Sequence, residues 1–377
     1  MRRLEAILHE KTRIVVKIGT NLLTHKLTGL NLDRINSIAG GVSHIQSLGY
    51  QVAVVSSGAI GAGVAAQALK ERPRTIREKQ ATAAIGQPIL MEAYEAAFRS
   101  HSRMVGQILL TKDDFVNRGR YLNARNTLSV LLEDDVVPII NENDTVAVEE
   151  IKFGDNDNLS AMVAHMIGAD LLIILSDIDG FYSDDPFHNQ RAELIPVVET
   201  ITSRMERQAK KSGGELGTGG MVTKIQAAKR CTSAGIAMII ANGGNSRMLQ
   251  EIVSGEFRGT LFLPAAHRLN VRKKWIGFVS HPRGSVRIDE GAKTALTKHR
   301  KSLLPSGVLE VIGVFNAKDT ISVLDVTGNE IARGVSGYSS EELSRIGGRK
   351  TGDVQTILGR RAHGEVIHKD NLVLLHE

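Results

Sequence analysis

The sequence has few of the features that indicate a secreted or membrane protein. Its single cysteine, Cys231, cannot form an internal disulfide and lies in a helix-like stretch, where we expect it to be a small buried hydrophobic residue. The N-terminus, MRRLEAILHEKTRIVVKIG, has no apolar run long enough for a signal peptide or a membrane span. We therefore expect a cytoplasmic protein that does not contact membranes.

Two further absences bear on function. Aromatic residues make up only 4% of the chain, which leaves few side chains to stack on nucleic-acid bases. No Ser/His/Asp set and no pair of histidines stands out as a nucleophile or metal site. What the sequence does contain, 42% hydrophobic and 23% charged residues, is ordinary for a globular protein.

The length and the distribution of charge both indicate two modules. A chain of 377 residues exceeds the usual size of one domain. Up to Pro264 there are 29 basic and 29 acidic residues, whereas the remainder has 18 basic and 12 acidic residues and carries the whole net charge of +6. We predict a catalytic domain over 1–264, a linker over 265–282, a second domain over 283–361 and a C-terminal tail over 362–377.

Apolar strand-like runs alternate with stretches of helical periodicity throughout the first domain. At least five such units follow one another, which is typical of an α/β domain with a doubly wound, largely parallel sheet. Lys17 interrupts the first strand, RIVVKI, near its carboxyl end. Because ligands bind outside the carboxyl ends of such strands, a lysine there indicates an anionic ligand.

The second strand leads into a small-residue turn, SSGAIGAG, that contains Ser57. Its spacing is GxxGxG rather than GxGxxG, and no acidic residue closes a second strand where a dinucleotide site needs one. We reject a dinucleotide site. Two interpretations stay open: an anion pocket made by backbone N–H groups and the Ser57 hydroxyl, or a purely steric turn.

A cluster of carboxylates and amides occupies 141–158, NENDTVAVEEIKFGDNDN, directly after another apolar run. Short polar side chains lose little rotamer entropy on ordering and offer many donors and acceptors, so the cluster predicts a pocket for a small charged ligand. The alternative is a turn-rich loop whose Asn and Asp residues bond their own backbone. The DNDN segment, 155–158, lies at a predicted helix start, where one of the four residues would serve as a cap.

Two further polar segments follow strands. The most apolar run, LLIIL, ends in Ser176 and Asp177. The segment SGGELGTGGMVTK, 212–224, is rich in glycine and precedes a predicted helix, with Lys224 in its first turn. Such a loop can bind phosphate through backbone N–H groups, the helix dipole and one cation, although it is not a Walker A loop; a flexible linker is the alternative. The second domain reads differently, as short β-rich runs of a small twisted β module with a helix over 339–346.

Several of these motifs together resemble a known family. VVKIGTN, VVSSGAIGAG, VVPIINENDTVA, FGDNDNLSA, LSDIDGFYSDDP and GTGGMVTK, in this order, are similar to motifs of the glutamate 5-kinases of the amino acid kinase family. IDEGAKTAL, GVLEVIGVF and GNEIARGVSGYSS resemble the PUA domain often fused to those enzymes. The resemblance covers nearly the whole chain and implies an amino acid kinase fold followed by a small β-rich PUA domain.

The resemblance also implies a reaction and a set of site residues. It implies that the γ-phosphoryl group of ATP, with Mg²⁺, is transferred to the side-chain carboxylate of L-glutamate, the first step of proline biosynthesis. It assigns three residues to glutamate: Ser57, Asp144 and Asn156. It assigns ten to ATP: Lys17, Ser176, Asp177, Thr218, Gly219, Gly220, Met221, Val222, Thr223 and Lys224. Lys17 and Lys224 would flank the transferred group, Asp157 would hold both lysines, and no protein ligand to a metal is assigned.

Departures from the family pattern are small. Ser176 stands where threonine is common, and Val222 where serine is common; either difference affects nucleotide affinity rather than the class of reaction. Lys318-Asp319 replaces a Gly-Asp turn in the second domain, which puts the shape of that loop in question.

Two alternatives to this function stay open. The chain could phosphorylate another amino acid carboxylate, such as that of acetylglutamate. Its basic second module could instead indicate an RNA-binding factor, although that function leaves the phosphate and amide motifs of the first domain without a purpose. The family further implies feedback inhibition by proline and a homo-oligomeric assembly.

Overall fold

The computed structural model describes residue 4 and residues 7–25, 29–146, 156–186, 188–211, 220–265, 282–359 and 364–375. The chain divides into two compact units, Met1–Arg268 and Leu269–Glu377, here called the first and second units. Among the described residues, no helix has the length and apolarity needed to cross a bilayer.

The first unit is built from alternating strands and helices, as predicted. Its strands are β1 (Arg13–Ile18), β2 (Thr24–His25), β3 (Gly29–Leu30), β4 (Gln51–Val55), β5 (Val105–Leu110), β6 (Val137–Glu142), β7 (Leu171–Ser176), β8 (Val197–Val198), β9 (Ala237–Asn242) and β10 (Gly259–Phe262). Its helices are α1 (Thr20–Leu23), α2 (Leu32–Ser47), α3 (Ala59–Ala66), α4 (Ile76–Arg99), α5 (Lys112–Val116), α6 (Arg118–Glu133), α7 (Asn156–Ile167), α8 (Ser203–Lys211), α9 (Met221–Ser233) and α10 (Met248–Ser254).

Eight of these strands form one sheet in the order β5-β6-β4-β1-β7-β9-β10-β8. All neighbouring strands are parallel except β9 and β10, which are antiparallel. The predicted doubly wound, largely parallel sheet is therefore confirmed. Strand β1 lies in the middle, with β4 on one side and β7 on the other, and the chain continues outward in both directions. Ligands of such sheets bind where the winding reverses, at the carboxyl ends of the central strands.

The core of the first unit explains the apolar runs of the sequence. Val and Ile side chains of β1, β4 and β7 are buried because helices cover both faces of the sheet. The long helix α4 contributes Leu90, Tyr94 and Phe98 to this core. Cys231 is buried in α9, as expected for a small hydrophobic residue.

The second unit contains a separate sheet and a separate core. Its strands are β11 (Ser285–Ile288), β12 (Val308–Ile312), β13 (Thr320–Leu324), β14 (Glu330–Val335) and β15 (Leu372–Leu374), in the order β12-β11-β13-β14-β15. Its α-helices are α11 (Glu290–Thr297), α12 (Ser340–Ile346) and α13 (Val354–Leu358). This small β-rich fold is the one predicted.

Several short elements were not predicted from the sequence, among them helix α8, helix α11 and strand β15. The expected tail, 362–377, is partly structural, because β15 pairs with β14 and Val366 and Ile367 are fully buried in the second core. A three-residue strand is too short to show an alternating pattern, so sequence periodicity does not reveal it.

Candidate functional site

Three charged side chains from different elements meet at the carboxyl ends of the central strands. Lys17 lies on β1, Asp157 in the first turn of α7 and Lys224 in the first turn of α9. Asp157 Oδ1 is 2.6 Å from Lys17 Nζ, and its Oδ2 is 3.3 Å from Lys224 Nζ. We call these residues the Lys–Asp–Lys cluster. The sequence named all three, and only the fold brings together positions 17, 157 and 224.

The cluster is buried and has one more positive than negative charge. Asp157 is 0% exposed, and Lys17 and Lys224 are 6% and 5% exposed. Burial alone would raise the pKa of Asp157, but the two ammonium groups outweigh burial and hold its pKa below the usual value. Asp157 is therefore ionised, and two lysines share one carboxylate. Two buried ammonium groups at the carboxyl ends of the central strands suit an anionic ligand.

The start of α9 adds backbone donors beside this cluster. Gly220 is the N-cap of this helix, and within the described part of the chain no side-chain cap is recorded there; helix N-termini of this kind suit anions. Thr223 Oγ1 lies 2.8 Å from Asp157 Oδ2 and so ties the first turns of α9 and α7 together. Met221 and Val222, also assigned to ATP, are half-buried in the same turn.

The end of β7 places a second carboxylate near Lys224. Asp177 accepts hydrogen bonds from Asn21 Nδ2 at 2.9 Å and from Ser176 Oγ at 3.1 Å. Burial alone would raise the pKa of Asp177. These hydrogen bonds and the charge of Lys224 outweigh burial, so the pKa lies below its usual value. Ser176 and Asp177 thus lie on the β7 side of the sheet, next to the Lys–Asp–Lys cluster.

A cluster of amides and hydroxyls lies on the β4 side. Asn156 Nδ2 donates to Ser57 Oγ at 2.8 Å and to the Ser56 carbonyl at 2.6 Å, and it lies 3.1 Å from Asn141 Oδ1. These contacts join the ends of β4 and β6 to the start of α7; we call Ser57, Asn141 and Asn156 the amide cluster. Asp144 follows β6 by two residues and is half-buried. Because Asn156 and Asp157 are consecutive, the amide cluster adjoins the Lys–Asp–Lys cluster.

The glycines after β4 have a packing reason. Gly58 has φ +111°, a left-handed conformation that side chains rarely adopt. A Cβ on Gly63 would lie 2.0 Å from the Thr82 carbonyl oxygen, so this glycine lets α3 and α4 approach closely. The steric interpretation of the turn therefore holds for these two residues, and the same turn presents Ser57 to the amide cluster.

Two predicted segments lie partly outside the described residues. Thr218 and Gly219 belong to 212–219, and Asp155 belongs to 147–155, which are not among them. Three polar residues of the site received no assigned role from the sequence: Asn21, Gln87 and Asn141. Asn21 and Asn141 stand in motifs that the sequence singled out, VVKIGTN and NENDTVA, whereas Gln87 lies in an ordinary amphipathic helix and gave no signal.

Comparison with protein-family models supports both units. Residues 12–242 match the amino acid kinase family, and residues 284–358 match the PUA domain. Among solved structures, the chain is similar to carbamate kinase from Giardia lamblia bound to AMP-PNP, with a TM-score of 0.50 and 17% identity. That likeness covers 68% of this chain and 99% of the carbamate kinase chain, and it concerns the fold alone.

Curated relatives match over almost the whole chain. The glutamate 5-kinase of Geobacter sulfurreducens is 50% identical over 98% of this chain and 99% of its own. The glutamate 5-kinase of Caldanaerobacter subterraneus subsp. tengcongensis is 49% identical over 96% of this chain and 98% of its own. Similarity of this extent spans both units.

Proposed function

This chain belongs to the amino acid kinase family, and from that premise we propose that it transfers the γ-phosphoryl group of ATP to the side-chain carboxylate of L-glutamate. The product is L-glutamyl 5-phosphate, the first intermediate of proline biosynthesis. The observation that carries the proposal is the juxtaposition of the Lys–Asp–Lys cluster with the amide cluster. The first suits a phosphoryl group, and the second suits an amino acid.

The proposed reaction needs little covalent help from the protein. A carboxylate oxygen of glutamate attacks the γ-phosphorus, the bond from that phosphorus to the β–γ bridging oxygen breaks, and ADP leaves with the electron pair. A side-chain carboxyl with a pKa of about 4.3 is already ionised at neutral pH, so no general base is required. Lys17 and Lys224 would flank the transferred group and offset the charge on its equatorial oxygens.

The remaining roles follow from position. Asp157 would hold the two lysine side chains apart and aimed at the same point, because it contacts both. Ser176, Asp177 and the segment 218–224 would bind ATP on the β7 side. Ser57, Asp144 and Asn156 would bind glutamate on the β4 side, where amide and hydroxyl groups suit carboxylates and the Asp144 carboxylate suits an ammonium group.

The donor set is compatible with magnesium that arrives with ATP. Both carboxylate oxygens of Asp157 face ammonium groups, so phosphate oxygens and water would supply most of the ligands. When bound, the ion neutralises charge on the β- and γ-phosphates. Among the described residues, no group of three or more His, Cys, Asp or Glu side chains is arranged to hold a metal.

The test is ADP release measured against L-glutamate, L-aspartate, N-acetyl-L-glutamate and a nucleotide monophosphate, with hydroxylamine present to trap an acyl phosphate. We expect turnover and a hydroxamate with L-glutamate alone. Turnover of N-acetyl-L-glutamate or aspartate without glutamate would replace the proposal with a kinase for another carboxylate. The same premise implies a cytoplasmic homo-oligomer that L-proline inhibits. Adding L-proline to this assay tests the inhibition.

A further inference from the structure

Gln87, on the inner side of α4, makes a contact that none of the roles above uses. Its side chain is 9% exposed, and its Oε1 accepts a hydrogen bond from Asn141 Nδ2 at 2.9 Å. Asn141 in turn lies 3.1 Å from Asn156, which contacts Ser57. A line of three amides therefore runs from Gln87 in the core through Asn141 to Asn156, the last two being members of the amide cluster.

Two backbone groups determine which way each amide points. The N–H of Glu142 can only donate, so the atom of Asn141 that it contacts at 2.9 Å must be the oxygen. The carbonyl of Ser56 can only accept, so the atom of Asn156 that it contacts must be the nitrogen. The nitrogen of Asn141 must then face Gln87, and Gln87 must present its oxygen. Each orientation depends on the next.

This arrangement leaves Gln87 Nε2 as a buried donor without a partner among the described residues. An unpartnered buried donor is unfavourable, and an apolar side chain of similar size would avoid it. Stability therefore does not account for a glutamine at this position. The carbonyl oxygen of Gln87, by contrast, accepts the hydrogen bond that Asn141 Nδ2 donates.

The packing of α4 on α3 places Gln87 at this point of the site. A Cβ on Gly86 would lie 1.8 Å from the Ala59 carbonyl oxygen, so the two helices touch backbone to backbone beside Gln87. Ala59 begins α3, directly after Gly58 and Ser57. The close approach of Gly86 to Ala59 therefore fixes both the turn that contains Ser57 and the position of Gln87 relative to Asn141.

We propose that Gln87 is a positioning residue for the acceptor pocket, which it orients through Asn141 and Asn156. With the Asn156 nitrogen held toward Ser57 Oγ, its oxygen is turned to the opposite side, where an ammonium group could be bound. The Ser57 oxygen accepts from Asn156, so its own hydrogen can be donated to a carboxylate. This inference rests on the proposed function, because the acceptor that it concerns is an amino acid.

The experiment compares Gln87→Met, Gln87→Glu and Gln46→Met in the full chain. Gln87→Met removes the acceptor for Asn141 but also removes the unpartnered donor, so we expect little change in Tm. The KM for L-glutamate should rise about 10-fold, roughly the value of one hydrogen bond, while the KM for ATP stays unchanged. Gln87→Glu keeps an oxygen facing Asn141 and should restore the KM for glutamate to within about 3-fold of the parent.

Gln46→Met is the matched control. Gln46 is 7% exposed on α2, donates to the Asp135 carbonyl and also has an unpartnered amide atom, but it contacts no residue assigned to the site. We expect this variant to leave both KM values unchanged. A Gln87→Met variant with a lower Tm and an unchanged KM for glutamate would overturn the proposal, because that is the result of a purely structural role.

A double variant tests the route through Asn156. If Gln87 acts through that residue, adding Gln87→Met to Asn156→Ala has no further effect on the KM for glutamate, whereas multiplying effects would overturn the inference. Calorimetric binding of L-glutamate, L-aspartate and N-acetyl-L-glutamate keeps the two proposals apart. If the parent binds one of the other acids instead, the proposed function fails, and Gln87→Met must still weaken the binding of that acid about 10-fold for the inference to stand. If the parent binds none of the three, the inference fails as well.

Discussion

Each unit contains a buried aspartate paired with lysine, and the two pairs differ in a way that separates a site from a scaffold. In the second unit, Asp325 Oδ2 is 2.9 Å from Lys293 Nζ. Its Oδ1 accepts from the Thr327 hydroxyl and from the backbone N–H groups of Thr327 and Asn329. The Thr327 and Lys293 hydrogen bonds are the largest of several influences that hold the pKa of Asp325 far below its usual range. Lys293 thus pairs with Asp325 and also lies 3.8 Å from Glu290, while the turn 325–329 supplies the remaining hydrogen bonds to Asp325.

In the first unit, Asp157 is shared by two lysines that come from elements distant in the sequence. Lys17 and Lys224 are only 6% and 5% exposed, whereas the Lys293 side chain is 33% exposed to water. A lowered carboxylate pKa is therefore common to both places and does not identify a functional site. What sets the first unit apart is position: its three charges are buried together at the carboxyl ends of the central strands, where ligands of such sheets bind.

The largest effect that this comparison predicts concerns Asp157→Asn. Two buried lysines would lose their counter-charge, and we expect a loss of about 3 kcal/mol in the free energy of unfolding at pH 7. Because the folded-state pKa of Asp157 lies below its unfolded value of about 3.9, the contribution is complete above about pH 4 and is lost as pH falls through the folded-state pKa. Urea denaturation of parent and variant between neutral and acid pH should show the difference shrinking only below about pH 4.

Asp325→Asn is the control for this prediction. It should show the same sign of pH dependence, since its pKa is lowered too, with kcat unchanged. Equal stability of parent and Asp157→Asn at pH 7 would mean that the two lysines do not need the carboxylate.

The next effect concerns the lysines. Lys17→Ala and Lys224→Ala should each lower kcat by roughly 100-fold or more, with a much smaller change in the KM for glutamate, because these groups would act on the transferred phosphoryl group. Lys293→Ala, which removes the lysine paired with Asp325 in the second unit, should keep kcat within about 2-fold. Steady-state kinetics measure these effects. A similar loss of kcat in all three variants would show that the lysines paired with Asp157 and Asp325 do not differ in function.

The acceptor side should respond in the opposite way. Asn156→Ala and Asp144→Ala should mainly raise the KM for glutamate, by about 10-fold or more, while kcat and the KM for ATP change little. Varying each substrate at saturating concentrations of the other measures this. A raised KM for ATP would show that the nucleotide and acceptor sides are assigned the wrong way round.

A smaller effect is expected from removing the second unit. The chain is hydrogen-bonded into the first unit as far as Ala265, whose N–H donates to the Thr232 carbonyl. A chain that ends at Arg268 should fold and keep kcat within about 3-fold, because the assigned residues lie before it. A folded but inactive truncation would show that the first unit lacks part of the site.

A second truncation, ending at Pro282, locates any role of the positive charge. Residues 265–282 contain four basic and no acidic residues. We would measure inhibition by L-proline and retention of RNA for both truncations and the full chain, at low and moderate salt. The comparison shows whether residues 265–282 or the second unit carry either property.

The smallest effect concerns Lys318, where the sequence departs from the family pattern. Lys318 has φ +78°, a conformation that favours glycine. We expect Lys318→Gly to stabilise the chain by about 0.5 kcal/mol, after the greater freedom of glycine in the unfolded state is counted. Denaturant titration measures the change, and a loss of stability would show that the Lys318 side chain makes a compensating contact.

Sequence reasoning went furthest for the elements that are buried on both faces. The runs RIVVKI, QVAVV and LLIIL predicted β1, β4 and β7, because only a covered parallel strand requires unbroken Val, Ile and Leu. It failed for α11 and β15, whose short stretches do not repeat often enough to reveal a period. It also could not show that β10 pairs antiparallel with β9, since pairing direction leaves no mark in four residues.

For the site, the sequence identified residue types but not their partners. Lys17 and Lys224 could be singled out because one interrupts an apolar strand and the other lies in the first turn of a predicted helix, and the resemblance to the glutamate 5-kinases added Asp157 as the residue that would hold both. Gln87 could not be named, because a glutamine in a helix is ordinary until its neighbours are known. Its importance depends on Asn141, which lies 54 positions further along the chain and contacts it only in the folded protein.

The sequence by itself determined the fold class and the two-part organisation, because local periodicity, residue type and charge are properties of short segments, whereas the roles expected of the site residues came from the resemblance to the glutamate 5-kinases. The tertiary structure alone decided which charges are paired, which amide faces which acceptor, and that Asp157 lies between two lysines. Those facts depend on distances between segments that lie between 15 and about 140 residues apart along the chain, and electrostatic and hydrogen-bond energies are functions of distance rather than of order along the chain.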